Sequence, residues 1–120
     1  MTKLRILLTA VLAVSLVAGL SACAPAKLGV SDVTAIIDLR APDKYAASHI
    51  TGSINIYFAS GSFYSDAGEL SRDGKYYLYA ETSDEASAAS ESMRSLGMKD
   101  LTNLGSFVDA QEILPLGISK

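Results

Sequence analysis

Tyr76 to Gly97 reads YYLYAETSDEASAASESMRSLG, a strand, a short turn and a helix in immediate succession. Tyr76-Tyr77-Leu78-Tyr79-Ala80 is apolar at every position, so neither face is reserved for water. That pattern suits a central strand of a parallel sheet covered on both sides. Thr82-Ser83-Asp84-Glu85 reads as a capping box, with the Thr82 hydroxyl at the N-cap and Glu85 three residues on. Ala86, Ala89, Met93 and Leu96 then recur at helical spacing, and Gly97 supplies a stop.

Working outward, Ala35-Ile36-Ile37-Asp38-Leu39 is a short run rich in β-branched residues and reads as a second buried strand. Pro42 begins a short helix through Ala47. Gly52 precedes Ser53 to Tyr57, a further strand, and the polar, glycine-rich stretch Phe58–Gly74 is expected to be irregular, with at most one helical turn. Leu101 to Leu104 is a fourth strand, and Val108 to Leu114 a last helix ended by Pro115. Strands alternating with helices predict an α/β domain with a mostly parallel central sheet flanked by helices.

The N-terminus reads differently from this domain. Lys3 and Arg5 precede an almost unbroken apolar run, Ile6 to Leu20, of about 15 residues, short of the roughly 20 that span a bilayer. A basic start, a short apolar core and small residues after it describe a secretory signal. Leu20-Ser21-Ala22-Cys23 is similar to the lipobox of bacterial lipoproteins. The expected organisation is a lipoprotein signal peptide at 1–22, cleavage before and acylation of Cys23, a tether at 23–33 and the folded domain at 34–118. An ordinary signal with an incidental cysteine and an uncut anchor are the alternatives.

Removing Lys3 and Arg5 leaves 8 basic against 13 acidic residues, a net charge of −5. Such a domain is not expected to bind nucleic acid and gains nothing from anionic lipid. The expected membrane partner is reached through acyl chains, at about 0.8 kcal/mol per buried methylene, on the outer side of the cytoplasmic membrane, with an envelope protein as a further possible partner. Cys23 is the single cysteine, so disulfides are excluded.

Ile36-Ile37-Asp38-Leu39-Arg40, Pro42-Asp43, Tyr45, His49-Ile50, Gly52-Ser53 and Ile54-Asn55-Ile56 resemble the first signature of rhodanese domains. Tyr77-Leu78-Tyr79, the Ala-rich helix, Leu96-Gly97-Met98 and Leu101-Thr102-Asn103-Leu104-Gly105 resemble its second half. The resemblance covers about residues 34–113 and is closest in shape to small single-domain envelope rhodaneses. It implies a sulfurtransferase fold whose catalytic cysteine follows the strand Tyr76–Tyr79, at the head of a loop of inward-pointing amides that stabilise a thiolate and then a persulfide. That position is Ala80 here, and the loop reads Ala80-Glu81-Thr82-Ser83-Asp84-Glu85.

Alanine carries no nucleophile, and Glu81, Asp84 and Glu85 would repel an anionic sulfur donor. The resemblance therefore implies no catalytic residue and no cofactor. The acidic run is either a capped helix start or a cation or basic-peptide site, with too few ligands for a Ca²⁺ loop. Asp38, Arg40, His49 and Gly52 match positions that read as structural, with Arg40 expected to pair with a carboxylate such as Asp43. Ser83 as a nucleophile would need a base and an orienting group. Tyr57, Phe58, Phe63 and Tyr64 either cover the sheet or form a partner patch. Three functions follow: an inactive binding or scaffolding lipoprotein, a thiol-independent enzyme built on the degenerate loop, or a structural remnant.

Overall fold

The computed structural model describes residues 26–120. Cys23 and the apolar run before it lie outside the described residues. The elements are β1 (Ala35–Asp38), α1 (Pro42–Ala47), β2 (His49–Ile50), β3 (Ile54–Asn55), α2 (Phe63–Gly68), β4 (Lys75–Ala80), α3 (Ser83–Ser95), β5 (Asp100–Ser106), α4 (Phe107–Ile113) and β6 (Ile118–Ser119). Four strands form one sheet in the order β3-β1-β4-β5, and every pairing in it is parallel.

The sheet is covered as the run Tyr76–Ala80 predicts. Tyr76, Leu78 and Ala80 point into a core shared with Ile37, Leu39, Phe63, Ala86, Ala89 and Met93. Tyr77 and Tyr79 point the other way, into a core with Ile36, Ile50, Leu104, Ala110 and Leu114. Alternation along one strand therefore feeds two hydrophobic layers, α2 and α3 on one side and α4 on the other.

The helix caps follow local chemistry. Thr82 Oγ1 accepts from Glu85 N at 3.2 Å and starts α3. Ser106 Oγ accepts from Asp109 N while Asp109 Oδ2 accepts from Ser106 N, both at 3.1 Å, a reciprocal capping box for α4. Gly105, just before this cap, has φ +83, and a Cβ there would stand 2.7 Å from Asp109 Oδ2. The turn thus requires glycine on two counts.

Three features differ from the sequence reading. Phe63–Gly68 is a six-residue helix, more than the single turn allowed for this stretch, because Phe63 and Ala67 find the first core and are buried there. The strand expected over Ser53–Tyr57 is regular only at Ile54–Asn55, in register with Ile37 and Asp38; beyond it Ile56 N and Phe58 N still donate to the carbonyls of Asp38 and Leu39. A two-stranded antiparallel ribbon, β2 with β6, closes the C-terminus onto the domain, and the hydroxyls of Thr51 and Ser119 meet beside it at 2.7 Å. In the stretch expected as a tether, Leu28, Val30 and Val33 pack against the second core, Leu28 N donates to Ile113 O, and Tyr77 OH donates to Gly29 O at 2.6 Å.

Candidate functional site

In the order β3-β1-β4-β5 the chain leaves β1 toward one side and β4 toward the other, so the order in which strands are added reverses between these two strands. Ligand sites of open parallel sheets lie at the carboxyl ends of strands at such a switch point. A half-open cavity of about 400 Å³ lies there. Its wall comes from Leu39 and Arg40 after β1, Tyr57 and Phe58 after β3, and Glu81 and Glu85 at and beyond the end of β4.

The floor is rigid. Asp38 and Arg40 are both buried. Arg40 Nη2 donates to Asp38 Oδ2 at 2.8 Å, Nε donates to Oδ1 at 3.1 Å, and Arg40 N donates to Oδ1 at 2.9 Å. Arg40 Nη2 also donates to the carbonyl of Ser48, and the guanidinium lies 3.9 Å over the Phe107 ring. Of the nearby carboxylates, the partner is therefore Asp38 and not the expected Asp43: Asp43 lies exposed in the first turn of α1, whereas Asp38 ends β1 and is buried together with Arg40. Burial disfavours the guanidinium charge, but Asp38 more than offsets it, and the Arg40 pKa lies above its ordinary value. Asn55 Nδ2 donates to the carbonyls of Asp38 and Arg40 at 3.0 and 2.9 Å, which fixes the loop leaving β1.

His49 and Gly52 lie beside this floor. The His49 ring stacks on Tyr45 at 3.9 Å, with Nδ1 2.8 Å from the Tyr45 carbonyl. Gly52 has φ +85 in the turn between β2 and β3. Tyr79 OH accepts from Ile50 N at 3.0 Å and meets Ser53 Oγ at 3.1 Å. Burial is the main cause that pushes its pKa above the ordinary phenol value.

The loop after β4 is short. Ala80 is the last strand residue and is fully buried in the first core. Thr82 already caps α3, so only Glu81 and Thr82 separate strand from helix. The amide of Glu85 is taken by Thr82 and is not presented to a ligand. Glu81 Oε1 lies 3.7 Å from Lys44 Nζ, both side chains about half exposed. Ser83 Oγ donates to Asp109 Oδ2 at 3.4 Å. Hydrogen bonds from the backbone and hydroxyl of Ser106 hold Asp109 below the usual carboxylate range, which makes it a poor proton acceptor for a serine nucleophile. Of the expected aromatic cluster, Phe58 and Phe63 stack at 5.0 Å and Phe63 meets Tyr64 edge-on, while Tyr57 lines the cavity.

Lys44, Tyr79 and Asp109 were not singled out from the sequence. Ser106-x-x-Asp109 carries the S-x-x-D capping signal that would have found Asp109. No local pattern marks Lys44 or Tyr79, whose roles come from packing.

A parallel sheet with helices on both faces and a cavity at its switch point defines an α/β domain with a site at the strand carboxyl ends. The chain belongs to the rhodanese-like domain family, whose description it matches over residues 24–112. Among solved structures, it is similar to a rhodanese-like domain from Anabaena (21% identity, TM-score 0.63, covering 72% of this chain and 98% of that one). It is also similar to a rhodanese with anions from E. coli (21%, TM-score 0.59, 72% and 96%) and to a rhodanese-related protein from Thermoplasma volcanium (24%, TM-score 0.57, 69% and 82%). At these identities the likeness concerns the fold. No curated protein matches the chain in sequence.

Proposed function

We propose that this protein is a rhodanese-like lipoprotein without sulfurtransferase activity, which acts as a binding or scaffolding module at the cell envelope. The observation that carries the reading is Ala80. It ends β4, fully buried, at the position where the family resemblance puts the sulfur-bearing cysteine. A methyl group cannot carry a persulfide, and Cys23 is the one sulfhydryl in the chain. The short loop supports the same reading, because Thr82 occupies a helix amide that a sulfur-transfer loop would turn toward its anion. Glu81, Asp84 and Glu85 oppose an anionic donor.

In this reading Cys23 is the acylated residue and the membrane is reached through its lipid, with the domain outside the cytoplasm. Leu28 to Val33 pack on the domain, so the free chain between anchor and fold is short. Thiosulfate:cyanide sulfurtransferase assays on the purified protein test the first part; turnover above a no-enzyme blank would end it. Metabolic fatty-acid labelling and membrane fractionation test the second. Label and membrane association are expected for the native chain and lost in Cys23→Ala; unchanged membrane association in that variant would refute the anchor.

A further inference from the structure

We infer that the cavity at the switch point binds a small organic cation, an ammonium or guanidinium carried on a short apolar stem. The inference rests on the proposal that this site no longer transfers sulfur, and it names what the site takes instead. The volume of about 400 Å³ falls in the range of roughly 300–1,000 Å³ typical of small-molecule sites. Leu39, Tyr57, Phe58 and Ala88 give it apolar and aromatic walls, surfaces that favour an alkyl stem and an organic cation.

The charges decide the sign of the ligand. Arg40 borders the cavity, but its guanidinium is committed to Asp38 and to the Ser48 carbonyl. Lys44 is balanced by Glu81 at 3.7 Å. Glu85 also lines the cavity, and among the described residues no cationic side chain pairs with it. The backbone amide of Glu85, which could have met an anion, donates to Thr82. An anion entering the cavity would therefore meet an uncompensated carboxylate, with Asp84 next to it in sequence. An ammonium would meet an unpaired carboxylate and aromatic walls.

The test is a titration of the whole purified chain with n-butylammonium, butyrate and n-butanol, three probes of similar stem and different charge, read by amide NMR shifts at Ala59, Glu85 and Ala88. Saturable shifts with n-butylammonium are expected, with an apparent Kd at least about tenfold below that of butyrate. An exposed carboxylate contributes about two- to fivefold, so Glu85→Gln should bring n-butylammonium close to n-butanol. Raising NaCl from 0.05 to 0.5 M should weaken the cation and leave n-butanol unchanged, a readout that needs no variant. Butyrate binding as tightly as n-butylammonium, no saturable shift, or salt-independent cation binding would overturn the inference. A sulfurtransferase assay on the same sample is read separately, so activity there would sink the proposed function without deciding the charge preference.

Discussion

Arg40 Nη2 stands 2.8 Å from Asp38 Oδ2, two residues apart in sequence, with both side chains almost wholly buried. The pair joins the end of β1 to the Ser48 carbonyl and to the Phe107 ring of α4. It therefore ties the sheet, the chain before β2 and the last helix together beneath the cavity.

Breaking this pair from one side leaves a buried charge without a partner. Arg40→Met alone should cost about 3–5 kcal/mol in urea unfolding. Asp38→Leu combined with Arg40→Met should return part of that loss, because no uncompensated charge remains. Arg40→Lys should not rescue, since a single ammonium cannot reproduce the forked contact. Equal stability of Arg40→Met and native protein would refute the structural role.

Tyr79→Phe removes the hydroxyl that accepts from Ile50 N and meets Ser53 Oγ. A buried amide then loses its partner, at a cost of about 1–3 kcal/mol. The native phenol, pushed above its ordinary value by burial, should stay protonated above pH 10 in the folded state. The unfolded chain ionises there, so stability should fall as pH rises past about 10. Loss of that alkaline slope in Tyr79→Phe, by urea midpoints from pH 9 to 11, is the check.

Asp109 acts at the opposite end of the pH scale. Its carboxylate is held below the usual range by Ser106, so its contribution is present above the unfolded value near 3.8. That contribution is lost as pH falls through the folded value. Stability between pH 4 and 2 should decline less steeply in Asp109→Asn than in the native chain. An identical acid slope in both would show that the cap carries no proton linkage.

Ala80→Cys should not create a sulfurtransferase. The new thiol would sit in the first core, where apolar surroundings raise a thiol pKa and hide it from reagents. In a Cys23→Ser background, Ellman's reagent should react with it only after unfolding. Rapid reaction in the folded state, with thiosulfate:cyanide turnover, would mean that the amide cradle survives and only the sulfur was lost.

Much of the architecture was legible in short stretches. The uniformly apolar Tyr76–Ala80 dictated a strand buried on both faces, and Thr82 with Glu85 located the start of α3 to the residue, because these signals are local and depend on neighbours within one turn. Asp38-Leu39-Arg40 and Gly52 were visible as parts of a signature, but the partner of Arg40 was not. Asp43 and Asp38 are at similar sequence distance, and only the pleat of β1, which turns Asp38 and Ile36 to the same face, selects between them. α2 has little helical pattern of its own and exists because Phe63 and Ala67 reach a core built by distant strands.

By itself the sequence determined the parallel α/β arrangement, the absence of a thiol at Ala80 and the acidic character of the following loop, since residue identity and period carry those properties directly. Tertiary structure alone decided the β2–β6 ribbon, the docking of Leu28–Val33 on the second core, and the cavity whose charge balance singles out Glu85. Each depends on which residues from separate segments meet in space, and on Arg40 and Lys44 being neutralised by partners that no local pattern names.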